Sequence, residues 1–160
     1  MAIQTGQHAP DFTLYTDKNE AYTLSEDNDG KSTVLLFFPG AFTSVCTEEM
    51  CTVNDDLARY RDLDAHVLGI STDSPFVLAE FKKHNSLDFP LLSDHNAQVS
   101  DQYGAKYDHD FTDMNLDRIA KRSAFVIDPD GVVRYAEITE HAGKQPNFGA
   151  IRQALEDARG

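Results

Sequence analysis

Ser32-Thr33-Val34-Leu35-Leu36-Phe37-Phe38-Pro39-Gly40-Ala41-Phe42-Thr43-Ser44-Val45-Cys46 is the stretch on which the architecture turns. After its two hydroxyl residues the run is continuously apolar and rich in β-formers, which predicts a central strand buried on both faces. Pro39-Gly40 ends it. From Ser44 onward Val45/Cys46, Met50, Val53, Leu57 and Tyr60 recur at steps of three and four. That spacing predicts one helix with no Pro or Gly to interrupt it before Gly69, and with Thr43 or Ser44 as its N-cap.

Working outward, His66-Val67-Leu68-Gly69-Ile70-Ser71 reads as a second buried strand. Ser74-Pro75 supplies an N-cap followed by Pro at the first helical position, for a helix to about Asn85. Strand, helix, strand implies a parallel pair with a right-handed crossover. Upstream, 11–15 and 21–24 form a short hairpin turned by Asp17-Lys18-Asn19, followed by a polar loop to Lys31. Downstream lie an irregular region with a short helix near Ala97 to Tyr103 and a polar tract from Lys106 to Lys121 with at most one helical turn. Ser123 to Ile127 and Val132 to Glu137 flank Asp128-Pro129-Asp130-Gly131, a strong hairpin signal. Phe148 to Ala158 closes the chain as an amphipathic helix carrying Ile151, Ala154, Leu155 and Ala158 on one face. A βαβ half followed by a ββα half suits an α/β fold, a thioredoxin-like three-layer sandwich around a central mixed β-sheet.

The chain has 160 residues, 41% of them hydrophobic. One domain over residues 1–160 of this size buries roughly 70% of its unfolded surface. The N-terminal residues show neither a basic leader nor an apolar stretch, and no run reaches the roughly 18 apolar residues of a membrane span. The expectation is a soluble, cytoplasmic protein. Its net charge of -13 sets up a negative field that excludes nucleic acid and anionic membranes as partners. We read that charge as adaptation to high salt, where counterions screen carboxylate repulsion; an ordinary acidic cytosolic protein is the alternative. An unfolding midpoint that fails to rise from low to molar salt counts against the first reading. The carboxylates Asp108, Asp110, Asp113 and Asp117 read as a solvated face. His8, His66, His84, His95, His109 and His141 lack the paired spacing of a metal site, so no metal and no cofactor are expected.

Only two cysteines are present, too few for a disulfide-stapled scaffold or a zinc knuckle. Cys46 follows a buried strand within the first helical turn, where unpaired N–H groups and the helix dipole favour an anion. The alternative is a buried cysteine packing as a small hydrophobe. Bringing a thiol from about 8.5 to about 6 takes about 3.4 kcal/mol, and a helix terminus contributes about 2 kcal/mol at best. A fixed cation is therefore required, the more so because Glu48 and Glu49 share that first turn.

Pro39-Gly40-Ala41-Phe42-Thr43-Ser44-Val45-Cys46 resembles the Pro-x-x-x-Thr-x-x-Cys motif of peroxiredoxins, and Arg122-Ser123-Ala124-Phe125-Val126-Ile127-Asp128 resembles the same family's Arg three residues before a Phe in a strand ending in Asp. The resemblance implies that Cys46 is the peroxidatic nucleophile and that Thr43 hydrogen-bonds thiolate and peroxide. It also implies that Pro39 shields the thiolate from water, that Arg122 holds the thiolate and polarises the peroxide, and that Glu49 orients Arg122. Donors aimed at the departing oxygen lower the barrier to O–O cleavage. Hydroperoxide would be the substrate, and a thioredoxin-like or small-thiol reductant the partner.

A sulfenic acid on Cys46 has to be reduced before it over-oxidises. Cys46-Thr47-Glu48-Glu49-Met50-Cys51 resembles the Cys-Thr-x-Glu-x-Cys pattern of the Q-type, bacterioferritin-comigratory group, in which the second cysteine resolves the first. Ala41-Phe42-Thr43 looks instead like the E-type alkyl hydroperoxide reductases, in which one cysteine can suffice. Residues five apart on a helix have Cα atoms about 8.7 Å apart, beyond the roughly 7 Å disulfide limit, so a Cys46–Cys51 bond requires the first helical turns to unwind. Cys51 lies on the stripe of Thr47, Asn54 and Ala58, off the centre of the apolar face and accessible enough to react; a packing or interface role is its alternative. Two rival readings stay open: a disulfide oxidoreductase, which would carry Cys-x-x-Cys where this chain has four intervening residues, and an acidic interaction module on the same fold. Monomer and homodimer also stay open.

Overall fold

The continuous apolar run becomes β3 (Ser32–Phe37), every residue of which is buried. It pairs in parallel with β4 (Ala65–Ser71) and antiparallel with β6 (Ser123–Ile127). In this computed structural model residues 3–111 and 114–159 are described; Met1, Ala2, Thr112, Asp113 and Gly160 lie outside them, and with Asp113 goes one carboxylate of the expected solvated face. The remaining strands are β1 (Thr13–Thr16), β2 (Ala21–Thr23), β5 (Leu91–Ser93) and β7 (Val133–Ile138). The sheet runs β2-β1-β5-β4-β3-β6-β7.

Alternation along β3 sorts the core into two clusters. Val34, Leu36 and Phe38 face α2 (Ser44–Asp55), α3 (Leu57–Asp62), α4 (Pro75–Asn85) and α6 (Phe148–Arg159) through Met50, Val53, Leu57, Tyr60, Leu78, Phe81, Ile151 and Leu155. Leu35 and Phe37 face Phe12, Val99, Tyr103 and Phe125 on the other side, where α5 (Gln98–Gln102) lies. Helices and segments on both faces of a mixed sheet make the thioredoxin-like sandwich. Gly69 is the close approach in this packing: a Cβ there would sit 2.7 Å from Leu91 Cδ2 and 3.2 Å from the Met50 sulfur.

Three expectations are corrected. The helix from Ser44 is two helices, α2 and α3, broken at Asp56. Asn54-Asp55-Asp56 are weak helix formers whose side chains compete for backbone partners, and Asn54 is drawn off by Ser86 O (3.2 Å) and Asp88 N (2.7 Å). The irregular region after Asn85 contains β5, too short for a period-2 signal, yet it joins β4 to β1. The loop after Leu24 opens with a single helical turn, α1 (Leu24–Asp27). Two local readings hold: Ser74 Oγ accepts from Val77 N at 3.3 Å with Pro75 at the helix start, and the hairpin closes through Gly131 N to Asp128 O at 3.0 Å.

Candidate active site

β3 ends at Phe37 opposite Ser123, the first residue of β6. Pro39, just past β3, and Arg122, just before β6, therefore emerge at the same end of the sheet. The chain turns there through Gly40 to Phe42 into α2, bringing Cys46 back over the strand ends. Cys46 is 1% exposed, Arg122 1% and Glu49 0%, and Pro39 is buried.

Arg122 organises the group. Nη2 donates to Cys46 Sγ at 3.1 Å, Nη1 to Glu49 Oε1 at 2.5 Å, and Nε to Ala142 O at 3.0 Å. One guanidinium fork thus spans two acids one helical turn apart on α2, a geometry that an ammonium cannot reproduce. Glu49 and Cys46 together hold the Arg122 charge in place. Glu49 fares differently. Burial pushes its carboxyl up to about 7, with Arg122 opposing and Glu137 adding to the rise, and its Oε2 is buried with no hydrogen-bond partner among the described residues. The cation has two acidic partners, whereas the buried carboxyl loses water on all sides and has one strong donor among the described residues.

Thr43 occupies the N-cap position of α2 but makes no side-chain cap. Its hydroxyl donates to Gly40 O at 2.9 Å, and its carbonyl accepts from Thr47 N and Thr47 Oγ1. With its one hydrogen committed to Gly40, the Thr43 oxygen offers lone pairs at the exposed side of the turn. Glu48 is exposed and apart from Arg122. Cys51 is half-buried, its Sγ 3.8 Å from Asn85 Oδ1, and burial, then Asp55, pushes its thiol up. Both cysteines are free.

Two contributors carried no motif in the sequence. The first is Asp73, just beyond β4: its Oδ2 accepts from Ala41 N and from Ser71 Oγ, both at 2.7 Å. Ala41 precedes Phe42, which sits at φ 68, a left-handed conformation costly for a bulky side chain. Phe42 is 52% exposed, with its ring 5.3 Å from Phe81 and 5.9 Å from His84. Asp73 thereby pins the strained turn that delivers Thr43. Asp73→Ala is expected to lower kcat/KM for peroxide about tenfold by loosening that turn, and Asp73→Asn, which keeps an acceptor, to recover most of it. Steady-state peroxide consumption checks both; an unchanged Asp73→Ala removes the role.

The second is the segment after β7. Thr139 N and Oγ1 both donate to Arg122 O, Ala142 O receives Arg122 Nε, and Gln145 Nε2 donates to Val45 O at 3.1 Å. This strap closes the site from the C-terminal side. Two surface cavities of about 390 and 400 Å³ share Tyr22, His66 and Pro90 and involve none of these residues; His66 lies near the opposite end of β4, so they are remote from the thiol.

The AhpC/TSA family matches residues 5–136. Peroxiredoxin Bcp of Escherichia coli is 35% identical over 133 residues, 83% of this chain and 84% of that protein. Alkyl hydroperoxide reductase E of Mycobacterium tuberculosis is 35% identical over 153 residues, 94% of this chain and 90% of that one. Among solved structures, peroxidoxin BcpB of Mycobacterium tuberculosis superposes with a TM-score of 0.82 at 30% identity, covering 98% of this chain and 97% of that one. A family match over most of the chain and relatives spanning most of their own length lead to one assignment: the chain belongs to the AhpC/TSA family and is a peroxiredoxin similar to the Bcp group.

Proposed function

We propose that this thiol-dependent peroxidase works through Cys46. The observation that carries the reading is the Arg122 fork, which gives the Cys46 sulfur a fixed charged donor at 3.1 Å inside a site closed to water. The Cys46 thiolate attacks the terminal oxygen of a hydroperoxide. An S–O bond forms as the O–O bond breaks, the sulfur is oxidised to sulfenic acid, and the departing alkoxide or hydroxide takes a proton. Arg122 stabilises the charge that moves from sulfur to oxygen. Thr43, with its lone pairs free, accepts from the peroxide O–H; Pro39 keeps water from the sulfur; Glu49 holds Arg122. The half-exposed ring of Phe42 supports acceptance of organic hydroperoxides beside hydrogen peroxide.

Cys51 is the internal candidate for recovery. Its thiol condenses with the sulfenic acid, releasing water and forming a disulfide that an external thioredoxin-like or small-thiol reductant reopens. The opening turns of α2 have to unwind first, breaking the Gln145 bond to Val45 O and the Arg122 bond to Glu49. A thiol held protonated until α2 opens is consistent with a resolving group that acts after the attack. One equivalent of peroxide followed by mass spectrometry tests the scheme: one oxygen atom on Cys46, then a Cys46–Cys51 linkage, is expected. Oxygen absent from Cys46 overturns the peroxidatic assignment, and a persistent sulfenic acid without linkage overturns resolution by Cys51 alone.

Residues 1–160 act in this reading as one catalytic domain. No described helix is long and apolar enough to cross a membrane, and two free thiols support a reducing compartment such as the cytoplasm. The charge of -13 supports a high-salt setting, subject to the salt titration given above.

A further inference from the structure

Arg122 is one positive charge set between two buried acids. Cys46 and Glu49 both touch its fork, and among the described residues neither has another cation as an ion-pair or hydrogen-bond partner. Ionising both acids leaves a net negative charge in a site that is 0 to 1% exposed, and an uncompensated buried charge is strongly unfavourable. Removing one proton from the pair leaves the site neutral. Glu49 offers a place for the remaining proton, because its Oε2 is buried and receives no donor among the described residues.

The other groups facing Glu49 push the same way or are neutral. From β7, Glu137 adds negative charge, with Oε1 held by Tyr135 Oη at 2.8 Å and Asn147 N at 2.9 Å. From α3, Tyr60 stays protonated through burial, with Arg152 of α6 beside it; Arg152 pairs with Asp56 at 3.7 Å.

We propose that Cys46 and Glu49 share a single proton across Arg122, and that in the reactive form Glu49 holds the proton that Cys46 has given up. The proposal rests on Cys46 as the reacting thiolate and deepens that reading. Glu49 is then more than a clamp on Arg122: it lets the thiolate form without leaving the site charged. When sulfur attacks the peroxide it becomes a neutral sulfenic acid. Glu49 then ionises against Arg122 and releases its proton to solvent, and the departing alkoxide takes one from solvent. The site is neutral before and after the step.

Alkylation isolates this proton from peroxide chemistry. A thiolate reacting with iodoacetamide expels iodide and yields no proton of its own. In a Cys51→Ser background, which leaves Cys46 as the sole thiol, the ultraviolet absorbance of the thiolate is read first near neutral pH. Proton release into a weakly buffered indicator solution is then counted on alkylation. The expected result is thiolate absorbance together with one proton released per Cys46 alkylated, and loss of a carboxylic-acid carbonyl stretch in the infrared difference spectrum. Glu49→Gln should keep the thiolate and lose both the released proton and the band. A thiolate that alkylates with no proton release overturns the proposal, as does release without prior thiolate absorbance or acid carbonyl, which places the proton on sulfur. The infrared measurement on glutamate labelled at the carboxyl needs no substitution at Glu49 and stands if Glu49→Gln fails to fold. Failure of the peroxidatic reading itself shows separately, as absence of oxygen on Cys46 in the mass-spectrometric experiment.

Discussion

Cys46→Ser is expected to abolish peroxide reduction, lowering kcat/KM by at least about 10⁴-fold, since a nucleophile acting as part of a unit cannot be replaced by its neighbours. Serine is nearly the same size and remains within reach of Arg122 Nη2, so the fold and the fork are expected to survive. What disappears is the sulfur nucleophile of the proposed reaction. The change therefore separates chemistry from architecture: the thermal midpoint should stay close to the original while hydrogen peroxide consumption with a thiol reductant falls to background. A Cys46→Ser protein that still turns over at the original rate would show that Cys51, or no thiol at all, carries the reaction. Cys51 is poorly placed for that role, since it is half-buried with its thiol pushed up by burial and Asp55 and hydrogen-bonds Asn85 rather than an arginine.

Arg122→Met should damage both stability and activity, for separable reasons. Removing the guanidinium leaves Cys46 and Glu49 without the cation that balances the negative charge they share, and breaking a buried pair from one side costs about 3–5 kcal/mol. It also strips the donor from Cys46 Sγ, and loss of one preorganised charged donor lowers turnover about 10²- to 10³-fold. The double variant Arg122→Met with Glu49→Leu removes both charges, so stability should return while activity stays low. Denaturant midpoints and peroxide kinetics on the single and double variants check this. Recovery of activity in the double variant would mean that Arg122 serves only to neutralise Glu49. Arg122→Lys should fall between, because one ammonium cannot span Cys46 and Glu49 at once.

Much of the site was readable because its residues sit where local rules are strong. A continuous apolar run ended by Pro39-Gly40, followed by helical spacing from Ser44, places Cys46 at a strand-to-helix turn before any tertiary contact is known. The electrostatic shortfall of a helix terminus then demands a cation, and the family resemblance points to Arg122. Asp73 and the strap through Ala142 and Gln145 could not be read this way. Their contributions are single hydrogen bonds to backbone atoms, Ala41 N and Val45 O, or a carbonyl offered to Arg122 Nε, and backbone partners leave no residue-type signature. The nearest signal for Asp73 was its place between the end of a predicted strand and the Ser74-Pro75 helix start. The break at Asp56 was hidden because apolar spacing continues across it, while Asn54 is drawn away by residues 32 and 34 positions further on.

The sequence by itself determined the order of the longer strands and helices, the buried strand at the centre and the turn that carries Cys46, because periodicity and Pro-Gly punctuation act over a few residues. Only the tertiary structure decided how the charges are shared. Cys46 and Arg122 are 76 residues apart, Glu49 and Arg122 are 73 apart, and it is the antiparallel pairing of β3 with β6 that brings the arginine to the strand end over which α2 begins. Burial then sets one cation against two acids, and the cost of an unbalanced charge away from water, which no stretch of sequence expresses, makes Glu49 a partner in the ionisation of Cys46.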